Sequence, residues 1–289
     1  MSTTGIKLDK VTYSVGGRLI LQDFDLSLDR GVNRTILGVS GAGKTTILKL
    51  ILGLIPPNSG SITIDGTEIT GLSEARLREV RRPIAVVFQG GALFDSMTVG
   101  ENVGYRLIEQ GTQSPQEIER VVLEKLGFVG LEDAIDLYPA ELSGGMKKRV
   151  AIARALAADP DYILFDEPTT GLDPIGVYNI CELMRRLQEQ GKTTLMVTHD
   201  LHTAFQVSQR FSFIHEARLV FEGTREELMA AETEVTREFL SPTPRSIFAC
   251  TDHRGTAESG RPEPPSPGLR PTLPSRGEGS SAKGPRHEP

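Results

Sequence analysis

Apolar and polar residues alternate over residues 6–12 (Ile-Lys-Leu-Asp-Lys-Val-Thr) and again over Leu26-Ser27-Leu28, with Gly16-Gly17 between them. A period of two interrupted by a glycine pair predicts strands joined by a turn, hence an antiparallel β unit at the start of the chain. The β-branched stretch 32–37 predicts a further strand, and from Ile47 the apolar residues Leu48, Leu50 and Ile51 fall at helical spacing. A short strand is predicted between Gly60 and Gly66, a helix over 73–81 with Ser73 as its N-cap, and a buried strand over the unbroken apolar run 84–88. From about 98 to 140 the pattern changes to helices separated by Gly and Pro: 99–109, 115–126 and 131–137. Strand and helix then alternate: helix 146–158, strand 162–165, helix 174–190, strand 193–197, helix 201–207, strands 211–215 and 218–222, and a polar helix near 225–239. That order predicts an α/β fold with a mostly parallel core sheet, an N-terminal antiparallel β subdomain and an inserted helical subdomain at about 98–158.

Composition changes this picture at one end. Ten of the 18 prolines lie beyond residue 241, among Gly, Ser and Arg, with seven basic and five acidic residues. Such a segment buries too little apolar surface to offset its ordering entropy, so 1–240 is expected to fold and 241–289 to be a disordered tail, with Ile247-Phe248 as its one anchoring cluster. The net charge of −6, near −8 without the tail, argues against a nucleic-acid partner. Cys181 and Cys250 are far apart and have no His neighbours, which fits a reducing cytosol better than a metal or disulfide scaffold. No apolar run approaches the roughly 18 residues of a membrane span, and no signal-peptide core opens the chain. Any membrane role is therefore expected to come through a partner.

The chemistry begins between the 32–37 strand and the helix after it. Gly38-Val39-Ser40-Gly41-Ala42-Gly43-Lys44-Thr45-Thr46 matches G-x-x-x-x-G-K-[S/T] in the strand–loop–helix setting that pattern requires. The glycines turn successive N–H groups inward as an anion nest, and the helix start adds positive charge. Lys44 can reach the β- and γ-phosphates, Thr45 suits a Mg²⁺ ion, and Thr46 adds a phosphate hydrogen bond. Downstream, the strand Tyr162-Ile-Leu-Phe-Asp166-Glu167 ends in two carboxylates. Asp166 can hold Mg²⁺, and Glu167 can orient and deprotonate a water. The residues point to nucleoside-triphosphate hydrolysis.

Leu142-Ser143-Gly144-Gly145-Met146, followed by Arg149-Val-Ala-Ile-Ala-Arg154, resembles the signature motif of ABC-transporter ATPases. By itself it is a second anion-binding helix start, with Ser143 and the Gly144 and Gly145 amides as donors. The resemblance spans about residues 5–240. It implies ATP as substrate, Mg²⁺ as cofactor and a head-to-tail dimer, in which this loop meets the γ-phosphate held by a second copy of the chain. It also implies that Gln89 is the Q-loop residue sensing Mg²⁺ and water, that Gly171-Leu172-Asp173-Pro174 is the D-loop, and that His199 is the switch histidine. Tyr13 is the candidate for stacking on adenine, although the family's usual position, just before the first hairpin glycine, is Val15 here. Met146 replaces the family's frequent Gln.

Met146 together with Phe88-Gln89-Gly-Gly-Ala-Leu-Phe94-Asp-Ser-Met97-Thr-Val99 resembles the ATPases of MCE-associated, Mla-type phospholipid transporters. That resemblance implies a peripheral location on the cytoplasmic face of the bacterial inner membrane. It also implies a permease docked on Ala92, Leu93, Phe94 and Met97, a periplasmic MCE lipid-binding subunit and a small regulatory subunit. An ABC ATPase for another substrate, such as amino acids, stays open. A soluble non-transport ABC protein fits less well: translation-associated members normally carry two cassettes in one chain, and a DNA-repair ATPase would need a long coiled coil between its two halves.

Overall fold

The computed structural model describes residues 4–231. Two sheets organise them. Strands β1 (Thr4–Val15), β2 (Arg18–Asp29), β4 (Ser59–Ile64) and β5 (Thr67–Glu68) form an antiparallel sheet in the order β2-β1-β4-β5. The central sheet runs β10-β9-β3-β8-β7-β6, from β3 (Asn33–Leu37), β6 (Ile84–Val87), β7 (Tyr162–Asp166), β8 (Thr193–Thr198), β9 (Arg210–His215) and β10 (Arg218–Gly223). Its strands are parallel except β10, which returns antiparallel on β9.

The continuous apolar runs are explained by burial on both faces of this sheet. In β7, Ile163 and Phe165 join one apolar cluster while Tyr162 and Leu164 join the other; in β8, Met196 faces the first and Leu195 and Val197 the second. The second cluster lies between the central sheet, the antiparallel sheet and α1 (Lys44–Ile51). The first is covered by α3 (Val99–Gln110), α4 (Pro115–Val129), α5 (Gly144–Leu156), α6 (Pro174–Glu189) and α7 (Leu201–Val207). Two short helices, α2 (Glu74–Val80) and α8 (Arg225–Ala230), complete the set.

The helix boundaries are set by capping. Thr98 and Ser114 form capping boxes with Glu101 and Glu117, Pro115 opens α4, and Gly111 and Gly130 close α3 and α4 in left-handed conformations. Residues 131–137, expected as a helix, instead form only a 3₁₀ turn, Glu132–Ala134. The carbonyls of Ile135 and Leu137 accept from the Gly100 and Val99 amides at the start of α3, so they cannot serve a helix of their own. Gly100 permits this approach, since a Cβ there would lie 2.8 Å from Ile135. The run 84–88 also ends one residue early, leaving Phe88 outside β6. The expected helix 225–239 is described only as Arg225–Ala230; its remainder, and the expected tail 241–289, lie outside the described residues.

Candidate functional site

The glycine loop connects the carboxyl end of β3 to α1, as its sequence requires. Gly41 and Gly43 have φ of 81° and 96°, a region that side chains disfavour. A Cβ on Gly43 would meet the Ile20 side chain at 2.9 Å, and one on Gly38 would meet Ile214 at 2.7 Å. The loop is thus seated between β2 and β9 by residues too small to push it out. Lys44 is buried, and its Nζ donates to the carbonyls of Gly38 (2.8 Å) and Val39 (3.1 Å) across the loop.

Opposite it, β7 delivers the two carboxylates in different directions. Asp166, the last residue of the strand, accepts from Thr45 Oγ1 at 3.0 Å. Burial, reinforced by the neighbouring Glu167 charge, raises its pKa above the ordinary 3.8 against the pull of Thr45 and Lys44. Glu167 has a left-handed backbone, φ 47°, which costs energy in a non-glycine residue and turns its carboxylate away from Asp166's side. That carboxylate meets His199 Nδ1 at 3.0 Å and Lys44 Nζ at 3.5 Å, and accepts from Thr198 Oγ1 at 3.1 Å and Thr170 Oγ1 at 3.3 Å. Burial pushes its pKa up. His199, Lys44 and Thr198 together outweigh burial and hold it below the ordinary 4.5. Such a carboxylate is ionised at neutral pH and can accept a proton from a water hydrogen-bonded to it.

Ser40, Gly41, Gly43, Lys44, Thr45, Thr46, Gln89, Glu167 and His199 line one pocket, together with Arg18 and Ile20 of β2. Gly38 and Ala42 support the loop from behind; Ala42 packs on the apolar cluster. Tyr13 is not in that wall. Tyr13 pairs with the fully buried Leu21 across the β1–β2 ladder and packs, half-buried, against the second apolar cluster.

Ser143, Gly144 and Gly145 line a second, separate pocket at the start of α5, with Met146, Arg149, Gly171, Leu172, Asp173, Gly176 and Asn179. Ser143 caps α5 by accepting from the Met146 amide, and Asp173 caps α6 by accepting from Gly176. The signature loop and the D-loop region thus share a polar cleft that contains none of the Lys44-loop residues.

Several residues that sequence reasoning missed hold these parts together. Lys148, inside a basic stretch of α5, is buried; its Nζ donates to the Thr170 carbonyl at 2.6 Å, and burial lowers its pKa despite the Glu167 charge. It ties the signature helix to the loop that carries Glu167. Arg154 donates to the carbonyls of Gly91 (2.9 Å) and Ala92 (2.7 Å). Asn102, fully buried, bonds both the amide and the carbonyl of Phe94 and the carbonyls of Met97 and Thr98. The segment after Gln89 is therefore pinned, with Ala92 and Phe94 exposed, Met97 half-buried and Leu93 packed on the core.

A family model described as ABC transporter matches residues 21–170, more than half of the chain. The chain belongs to the ABC transporter family. As a member of it, the chain is an ATP-binding, ATP-hydrolysing cassette. It is 39% identical over 241 residues to the intermembrane phospholipid transport system ATP-binding protein MlaF of Haemophilus influenzae, covering 83% of this chain and 91% of that protein. It is 40% identical over 237 residues to mkl of Mycobacterium bovis, named a probable ribonucleotide transport ATP-binding protein, covering 82% and 66% of the two chains. Among solved structures it is similar to the dimeric ATP-binding cassette MJ0796 in a post-hydrolysis state with ADP and Pi, at TM-score 0.70 and 36% identity over 76% of this chain and 98% of that one. It is also similar to cbiO1 of Clostridium perfringens, part of the ABC transporter complex cbiONQ, at TM-score 0.73 and 31% identity over 86% and 98%.

Proposed function

We propose that this cassette powers a membrane transporter that moves phospholipid between bacterial membranes, from the cytoplasmic face of the inner membrane. The observation that carries the ATPase part is the Glu167 carboxylate, ionised and held between His199 and Lys44 at the mouth of the phosphate loop. Lys44, Thr46 and the amides from Ser40 to Thr45 hold the triphosphate. Thr45, Asp166 and Gln89 present oxygen donors suited to Mg²⁺, with Thr45 Oγ1 and Asp166 Oδ1 already 3.0 Å apart. The ion, when bound, neutralises charge on the β- and γ-phosphates. Glu167 takes the proton of the attacking water, and His199 orients that water and the γ-phosphate.

Ser143, Gly144 and Gly145 act on the nucleotide of a second copy of the chain. Their separation from the Lys44 pocket supports this reading, since a helix start that binds phosphate is of no use to a phosphate in another cleft. The dimeric state of the MJ0796 cassette supports it too. Closure of two copies around ATP moves the segment pinned by Arg154 and Asn102, whose exposed Phe94 packs tilted against Tyr105 with ring centroids 4.7 Å apart. That motion acts on a separate permease docked at the exposed Ala92 and Phe94 and the half-buried Met97; no helix among the described residues is long and apolar enough to cross a membrane.

The cargo reading rests on the similarity to MlaF and on Met146 and the 88–99 stretch, and implies a periplasmic MCE subunit and a small regulatory subunit. The mkl relative carries a ribonucleotide in its name, which makes nucleotide cargo the competing reading. Native purification from its own membrane, followed by mass spectrometry, separates the two. We expect a permease and an MCE-type protein with bound phospholipid; co-purification with a permease and a soluble substrate-binding protein free of lipid would contradict the cargo.

A further inference from the structure

The pocket that holds the phosphate loop has a wall with no assigned task. It is made by Arg18 and Ile20 of β2, both of which line the pocket. Ile20 lies against Gly43, close enough that a Cβ on that glycine would sit 2.9 Å from its Cγ2. This contact fixes β2 against the loop that takes the phosphates. Arg18 stands about 6–7 Å farther along the strand. It is exposed, and among the described residues no hydrogen bond or ion pair engages its guanidinium. The aromatic residue nearest in sequence, Tyr13, packs half-buried against the second apolar cluster and lies outside the wall of this pocket, and Val15 offers no flat surface.

We propose that Arg18 is the stacking platform for the purine base, and that base preference here is set by a guanidinium instead of an aromatic ring. This rests on the reading that the pocket binds ATP. A guanidinium is planar, delocalised and weakly hydrated, so it lies well on an aromatic face and attracts its π-electrons. Its position on the strand that backs the loop, beyond the loop itself, suits a group attached at the far end of the nucleotide from the γ-phosphate. The triphosphate is served by Lys44 and the loop amides, leaving the base as the part of ATP for which the pocket still needs a partner.

Calorimetric titration with ATP and with inorganic tripolyphosphate tests this, because only ATP carries a base. Arg18→Ala is expected to weaken ATP binding about tenfold and tripolyphosphate binding by less than about twofold. Arg18→Trp, which restores a flat face without charge, is expected to recover most of the ATP affinity. Tyr13→Leu should leave the ATP affinity within about twofold. Equal losses for both ligands would mean that Arg18 serves the phosphates and would overturn the proposal. So would an Arg18→Ala chain that binds ATP normally, an Arg18→Trp chain as weak as Arg18→Ala, or an ATP-selective loss in Tyr13→Leu. A native chain that binds neither ligand would instead bring down the ATP-binding reading on which this one stands.

Discussion

Glu167→Gln is expected to abolish turnover while sparing ATP binding, lowering the rate by about 10²–10⁴-fold, the usual contribution of a positioned general base. The glutamine carbonyl can still accept from Thr198 and Thr170, so the turn at φ 47° keeps its anchors. What is lost is the charge that takes the proton from water. A chain that binds but does not hydrolyse should accumulate as an ATP-bound dimer, visible by size-exclusion chromatography with ATP and absent without it. The pH profile follows from the same geometry. His199, Lys44 and Thr198 hold the Glu167 carboxyl below 4.5, so the base stays ionised above that pH and its acid limb lies below it. The linkage has the same sign: a depressed carboxyl stabilises the fold above its unfolded pKa, and that stabilisation is lost as pH falls through the folded value. An acid limb near neutrality that vanishes in Glu167→Gln would contradict this ionisation state.

Lys44→Ala carries the second large effect. The ammonium is the one buried cation on the loop; it is 6% exposed and spans the carbonyls of Gly38 and Val39. Removing it takes away both a charge for the phosphates and the strut across the loop. Charge-assisted hydrogen bonds contribute about 1.5–3 kcal/mol each, so the loss of two on a triphosphate should weaken ATP binding by at least about 100-fold. Stability should change little by comparison, because the same substitution relieves Nζ of burial. Nucleotide titration and a thermal melt on the same sample check both halves. A melt unchanged and an affinity within tenfold of the native chain would remove Lys44 from the phosphate site.

The parts of this site that could be read in the sequence are those in which chemistry and local structure coincide. The Lys44 loop is a strand, a glycine turn and a helix in succession, so motif and fold point the same way. Asp166 and Glu167 end an apolar strand, and the structure sends them to different partners as two adjacent strand-end residues should be sent. The helices 99–109 and 115–126 show in the sequence through the Gly and Pro that separate them, and the structure adds the capping boxes of Thr98 with Glu101 and Ser114 with Glu117 that start them. What could not be read depended on contacts between distant segments. Residues 131–137 look helical alone, yet two of their carbonyls are taken by the start of α3. Tyr13 is the candidate base platform in the sequence because Val15 stands at the family's usual position; its half-buried packing on the second apolar cluster, outside the wall of the phosphate pocket, depends on contacts that the sequence does not display. Nothing in the sequence marks Lys148 or gives Arg154 a task beyond its place in the signature motif; their roles exist only because the loops after Glu167 and Gln89 come to rest beside them.

The central claim is that each reacting site is built by two copies of the chain, with the phosphate loop of one facing the signature loop of the other. A cysteine at each loop tests it directly, since Ser40 and Ser143 are both exposed and line different pockets of one chain. With Cys250→Ser in place and Cys181 buried, Ser40→Cys and Ser143→Cys in the Glu167→Gln background leave one accessible pair. The account predicts that mild oxidation with ATP and Mg²⁺ gives a covalent dimer carrying two disulfides, each joining position 40 of one copy to position 143 of the other, and that omitting ATP abolishes it. A cross-link within a single chain, or a dimer that forms equally without ATP, would contradict it.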